Sequence, residues 1–398
     1  MYEALLKATP EYQKIAASFA KPGPAALFGL PPAGRALLYA ALQKDLGRVL
    51  CIVTPGEAEA TRFAADLNTL GIPAAVFPAR DYVLRPIEGT AREYEYRRLA
   101  VLGELVGGRL RAVAVPAEAL TQFTTPKEDF CANTRTLHAG DTLLRDDLLA
   151  ALFGAGYTRR AQVDGPGQFS VRGDIVDIFA PDQKMPVRME FWGDEIDTLH
   201  TFDLTTQRRE DAIDKFYLSP AREVLFGKPA DAAEQLRAFL AKQRGKKKTA
   251  MADCMAADLD LLDGGAVPVN MDKYLAVRYP HPATVLDYFD DPILVAEEPA
   301  SIREADRATA YRRGEELKSL ILDGVLCAGL DNLYADPSYL WSKTGHYRTI
   351  CAENFARSMP DQPLKDIINT PAHTLPAWNG EVAGLLEDLK PLCDAGYT

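Results

Sequence analysis

Six cysteines, five histidines and three tryptophans in 398 residues leave little room for metal or disulfide chemistry. The cysteines, at 51, 131, 254, 327, 351 and 393, show no Cys-x-x-Cys spacing, which excludes the common zinc and redox signatures and points to reduced thiols. The histidines (138, 200, 281, 346, 373) are far apart and none pairs with a cysteine or carboxylate at ligand spacing, so no metal site is expected. No apolar run approaches the roughly 20 residues of a membrane span. The opening Met-Tyr-Glu-Ala-Leu-Leu-Lys lacks the basic-then-apolar order of a secretory signal. A cytoplasmic protein without membrane contact is expected. Positive charge is also scarce: a formal net charge of −11 argues against a dominant nucleic-acid surface, because DNA affinity comes largely from lysine and arginine on phosphates. A Gly-x-Ser-x-Gly elbow is absent. Asp194, Glu195 and Asp197 cluster without a convergent basic or metal partner, so glycosidase-like catalysis is unsupported.

What is present is the composition of an ordinary folded protein, 47% hydrophobic and 25% charged, too long for one core and therefore two or three domains. The first 124 residues alternate short apolar strands (25–29, 48–54, 74–77, 110–115) with helices (34–46, 56–70, 90–106), the pattern of a parallel sheet covered on both faces. From 125 to 215 one helix (145–155) and then hairpins replace that rhythm, as if an α+β domain had been inserted. From 216 to 335 the alternation returns, with a buried strand at 293–296 and a long helix at 305–322, and the parallel domain is expected to be completed there. The basic run Gln243-Arg-Gly-Lys-Lys-Lys-Thr249 reads as a solvated loop, with a phosphate contact as the other reading. Residues 336–398 turn loop-rich, then give a strand-like 372–375 and a helix at 380–392. The sequence stops where a following strand would be expected, the pattern of a domain cut short.

The richest stretch is Gly165-Pro-Gly-Gln-Phe-Ser-Val-Arg-Gly-Asp-Ile-Val-Asp-Ile-Phe179 followed by Val187-Arg-Met-Glu-Phe-Trp-Gly-Asp-Glu-Ile-Asp-Thr-Leu-His-Thr-Phe-Asp203. Side chains alternate faces along a strand, so Val187, Met189 and Phe191 share the core face while Arg188, Glu190 and Trp192 share the other. A tryptophan beside arginines has the composition of a protein-binding hot spot, and Arg172 adds a second arginine from the neighbouring run. The competing reading has Trp192 packed against the adjacent domain and the arginines at a sheet edge.

A phosphate-binding loop needs Gly-x-x-x-x-Gly-Lys-Ser/Thr between a strand and a helix. Here the place is filled by Gly29-Leu-Pro-Pro-Ala-Gly34-Arg35-Ala36. Both glycines remain, but Pro31 and Pro32 lack backbone N–H groups, Arg35 is a poor geometric substitute for lysine, and Ala36 cannot hold magnesium. No cofactor is expected, and no catalytic residue.

The string from Gly165 to Asp203 resembles the second domain shared by the bacterial excinuclease component UvrB and the transcription-repair coupling factor, and the resemblance runs through nearly the whole chain. It implies an α/β fold: a degenerate phosphate-loop-NTPase-like parallel-sheet domain, an inserted α+β hairpin domain and the start of a further α/β domain. UvrB has an intact phosphate loop, an Asp-Glu-x-His motif after a buried strand and a long aromatic hairpin. This sequence has the altered loop, Ala296-Glu297-Glu298-Pro299-Ala300 in place of the motif, and no room for the hairpin between 81 and 98. It is therefore similar to the N-terminal region of the coupling factor, and 367–380 resembles the opening of that family's third domain. The resemblance implies a non-catalytic adaptor that docks the excinuclease component UvrA through Arg172, Arg188, Glu190 and Trp192, the tryptophan standing where phenylalanine is common. Contacts with RNA polymerase and DNA, and an ATPase motor, would belong to domains beyond Thr398. Two other functions stay open. One is a module that restrains that motor through intramolecular contacts, and the other an ATP-dependent damage-recognition protein of the UvrB kind.

Overall fold

A computed structural model describes residues 2–87, 92–359, 362–370 and 380–396. The first part of the chain builds β1 (Gly23–Phe28), β2 (Leu50–Thr54), β3 (Ala74–Val76) and β4 (Ala112–Pro116), separated by the helices Pro32–Leu46, Glu57–Thr69 and Glu93–Val106. Nearly every residue of β1, β2 and β4 is buried, because the sheet carries helices on both faces. Alternation sorts them: Leu50 and Ile52 pack with Leu38, Leu42, Phe63 and Leu67 on one side, whereas Cys51 and Val53 pack with Leu99, Leu102 and Phe130 on the other.

The insertion supplies β5 (Arg135–His138), β6 (Thr158–Arg159), β7 (Gln168–Arg172), β8 (Ile175–Phe179), β9 (Val187–Trp192), β10 (Glu195–Phe202), β11 (Arg209–Ala212) and β12 (Lys215–Leu218). β5 and β12 pair antiparallel, Leu137 opposite Phe216, so the chain enters and leaves the insertion side by side. The other six strands form one sheet in the order β11-β10-β9-β8-β7-β6. The helix Arg145–Gly154 covers its inner face, with Leu148 and Leu152 against Phe169, Val176 and Met189.

After the insertion come two helices, Pro229–Ala241 and Gly245–Asp263, which share a separate apolar cluster with Leu320, Leu326 and Leu330. The basic run expected to be a loop is instead the first turns of the second of these helices. A glycine followed by three lysines reads as a surface turn, but Met251 and Met255 are buried and hold the segment helical. The chain then forms β13 (Ile293–Glu297), the long helix Pro299–Leu322, β14 (Arg348–Glu353) and β15 (Asp366–Asn369).

These last strands complete the first sheet, seven parallel strands in the order β15-β1-β14-β13-β2-β4-β3. The parallel domain thus extends past the expected boundary at 336, and β14 and β15 are part of it rather than of a linker. β14 escapes a sequence reading because only Ile350, Cys351 and Ala352 of its six residues are apolar, yet it lies between β1 and β13. The helix Val382–Asp394 follows. The strand expected at 372–375 lies outside the described residues.

A buried ion network joins the exit of the insertion to the parallel domain. Arg98 donates to both oxygens of Glu223 at 2.5 and 3.3 Å, and Arg80 pairs with Asp272 at 2.7 Å. All four side chains are buried. Gly167 has φ +73°, and a Cβ there would come within 2.8 Å of the Tyr96 hydroxyl, so glycine lets the hairpin sheet seat against the helix Glu93–Val106.

Candidate functional site

Register across the hairpin sheet determines which side chains share its outer face. Ser170, Asp177, Arg188 and His200 lie in one row across β7, β8, β9 and β10, and Arg172, Ile175, Glu190 and Thr198 form the next. Residues directly opposite each other project to the same side. Arg172, Arg188, Glu190 and Trp192 therefore share one surface, as their period-two spacing predicts.

Their environments differ sharply. The Arg188 side chain is only 12% exposed. Its Nε donates to Asp177 Oδ1 at 2.7 Å, its Nη2 to Oδ2 at 2.9 Å and its Nη1 to the Gln207 carbonyl at 3.2 Å, while the guanidinium lies 4.7 Å from the Phe202 ring centre. The fork is fully engaged within the molecule, and this charge-assisted pairing raises the Arg188 pKa. Arg172 is 48% exposed and donates to the same Asp177 at 2.6 Å. Asp177 is the residue a sequence reading passes over. A lone carboxylate in the apolar run Ile175-Val-Asp-Ile-Phe179 is its signal, and it organises both arginines.

Glu190 forms an ion pair with Arg209 and accepts from Thr198 at 3.3 Å. Trp192 is 82% exposed. It does not pack on the neighbouring domain. The β7–β8 and β9–β10 hairpins both turn on Gly-Asp: Gly173 and Gly193 take φ of +60° and +62°, so Arg172 and Trp192 each stand just before a tight turn. Phe191 N–H bonds the Asp174 carbonyl at 2.9 Å and ties the two turns together. The result is a rigid arginine–aspartate platform beside a bare indole.

The altered phosphate loop lies at the carboxyl ends of the strands, where α/β sheets usually bind ligands. Arg35 is buried there. Its Nη1 pairs with Glu297 at 2.7 Å and its Nη2 with Glu298 and the Asn354 side-chain oxygen, each at 3.0 Å. Tyr39 donates its hydroxyl to Glu297, and burial pushes that carboxyl up to about 7 despite Arg35 beside it. The loop residue Arg35 and the strand-end Glu297, read separately in the sequence, thus meet and close on each other. Gly29 has φ +84°, and a Cβ there would come within 2.5 Å of the Thr370 carbonyl. Gly34 is tight against Leu30, and Ala36 is buried in the helix Pro32–Leu46.

Among the described residues no three ligating side chains converge as a metal site, and no helix is long and apolar enough to cross a membrane.

An antiparallel hairpin sheet set into a parallel α/β domain defines the class. Residues 136–224 match the family described as the UvrB interaction domain. The chain as a whole resembles the N-terminal region of transcription-repair-coupling factors. It is 24% identical to the transcription-repair-coupling factor of Bacillus subtilis over 94% of this chain and 32% of that protein. Those of Staphylococcus aureus MRSA252 and Staphylococcus haemolyticus are 24% and 25% identical over 74% of this chain and 26% of theirs. The chain spans about a third or less of these relatives.

Proposed function

We propose that this chain is a non-catalytic adaptor of transcription-coupled DNA repair, and that it recruits the excinuclease component UvrA through the outer face of β7–β10. The observation that carries the reading is Trp192: a large aromatic left bare, next to an ordered arginine platform, within a UvrB interaction domain. In this account Trp192 fills an apolar depression on the partner. Arg172, half exposed, swings from Asp177 to a partner carboxylate, and Arg188 stays on Asp177 to hold the platform flat. Glu190 sets the charge at the edge of the patch.

The same reading makes the phosphate-loop region a retained fold without a nucleotide. Arg35 is already paired with Glu297 and Glu298, prolines stand where N–H donors would meet phosphate, and no hydroxyl is available to magnesium at Ala36.

Calorimetric titration with UvrA tests the proposal. Trp192→Ala is expected to weaken binding by about 2 kcal/mol or more, roughly thirtyfold, with the melting temperature unchanged. Binding at full strength by that variant would overturn it. Arg188→Glu is the wrong probe, because it strands Asp177 and confounds binding with folding.

A further inference from the structure

Two of the six cysteines, distant in sequence, meet where the helix Gly245–Asp263 packs on the segment that follows the long helix Pro299–Leu322. Lys247, Met251 and Cys254 recur at helical spacing along one side of the first of these helices. Residues 325–330 run along that side in the opposite direction. The Cys254 Sγ donates to the Val325 carbonyl at 3.2 Å, and Gly329 sits against Met251 and Lys247, which a Cβ there would meet at 3.4 and 3.3 Å. Cys327 lies between those two contacts, and its thiol hydrogen-bonds that of Cys254. Leu326 and Leu330 anchor the segment in the same apolar cluster as Met251.

The charges around the pair are Lys273, Asp258 and Asp331. Lys273 is buried, pairs with Asp258 at 2.6 Å and donates to the Cys254 carbonyl at 3.1 Å. The hydrogen bond from Cys327, aided by Lys273 and opposed by burial and Asp258, brings Cys254 down to about 7, while the same bond and burial push Cys327 up. Cys51 and Cys351 are different: burial pushes both up to about 12. A half-buried thiol that ionises near neutral pH, with a second thiol in contact, has what disulfide exchange requires, an attacking thiolate and a resolving partner. We propose that Cys254 and Cys327 are a redox modification site, at which Cys254 attacks a low-molecular-weight disulfide and Cys327 closes the product into an internal disulfide. In the first step the Cys254 thiolate bonds to one sulfur of the reagent, whose S–S bond breaks and releases a thiolate. In the second, Cys327 attacks the Cys254 sulfur and expels the other half of the reagent. The two thiol protons end on the two released thiols, so the cysteines are oxidised and the reagent is reduced. The link closes 73 residues (327 − 254) and restricts the unfolded chain, so the oxidised form melts at higher temperature.

Treating the folded chain with oxidised glutathione, quenching with acid, blocking with N-ethylmaleimide and mapping peptides by mass spectrometry tests this. The expected result is a peptide pair linked through Cys254 and Cys327, the loss of both thiols from the maleimide count, a raised melting temperature, and reversal of all three by dithiothreitol. Cys327→Ser is expected to stop at a glutathione adduct on Cys254, and Cys254→Ser to leave Cys327 unmodified and the melting temperature unmoved by oxidant. The wild-type result decides the matter should either variant fail to fold. Full maleimide labelling of both cysteines after treatment, a link that forms only in urea, or a glutathione adduct on wild-type Cys254 that never closes would each overturn the proposal.

Discussion

Asp177 has a fully buried side chain and binds two arginines, one of them through both oxygens. A buried carboxylate of this kind stabilises the fold only while its partners remain, because removing one side leaves the other charge desolvated. Replacing Asp177 with Ala strands the nearly buried Arg188, and a loss of about 3–5 kcal/mol in urea-induced unfolding is expected. Arg172→Ala, at a half-exposed position that leaves Arg188 in place, should cost under about 1 kcal/mol. In the proposed docking that contrast separates the two arginines, Arg188 building the platform and Arg172 exchanging Asp177 for a partner. Equal losses for the two variants would contradict the division of roles.

At the scale of elements, the hairpin strands were legible because one face is apolar and the other is not, so Val187, Met189 and Phe191 declare their register before any coordinates are known. What stayed hidden depended on register across strands: nothing in the local pattern says that Asp177 stands opposite Arg188, or that Arg35 meets a glutamate 262 positions later (297 − 35). Short, mixed strands were hidden too. β14 ends in polar residues at both sides, and the four residues of β15 are recognisable only by their pairing with β1. The glycine of the altered phosphate loop also changes meaning at this scale. Gly29 is demanded by the close approach of the Thr370 carbonyl at the end of β15, not by a phosphate. Gly29→Ala combines that clash with a positive φ and is expected to lower stability by about 1–3 kcal/mol in thermal denaturation. An unchanged midpoint would mean that the loop has room to spare.

At the scale of the whole molecule, the buried cluster of Arg35, Tyr39 and Glu297 leaves a signature in pH-dependent stability. The usual glutamate pKa is about 4.3. Glu297, faced by Arg35, Tyr39, Glu298 and Arg62, is raised to about 7 by burial, so the folded state holds this proton where the unfolded chain has released it. Stability therefore falls as pH rises from about 4.5 to about 7, by an amount on the order of 1–3 kcal/mol from this group. Asp306 acts in the same direction over a lower range, so the comparison must be between the wild type and a Glu297→Gln variant. The variant is expected to lose part of the decline between pH 5 and 7, and identical pH profiles would contradict the linkage.

Docking through one face of the inserted sheet is tested most directly by hydrogen–deuterium exchange of the chain with and without UvrA. Slowed exchange is expected at the Gly173-Asp174 and Gly193-Asp194 turns and along β9, with no change at residues 29–36; protection confined to the parallel-sheet domain, or none anywhere, would contradict the adaptor role.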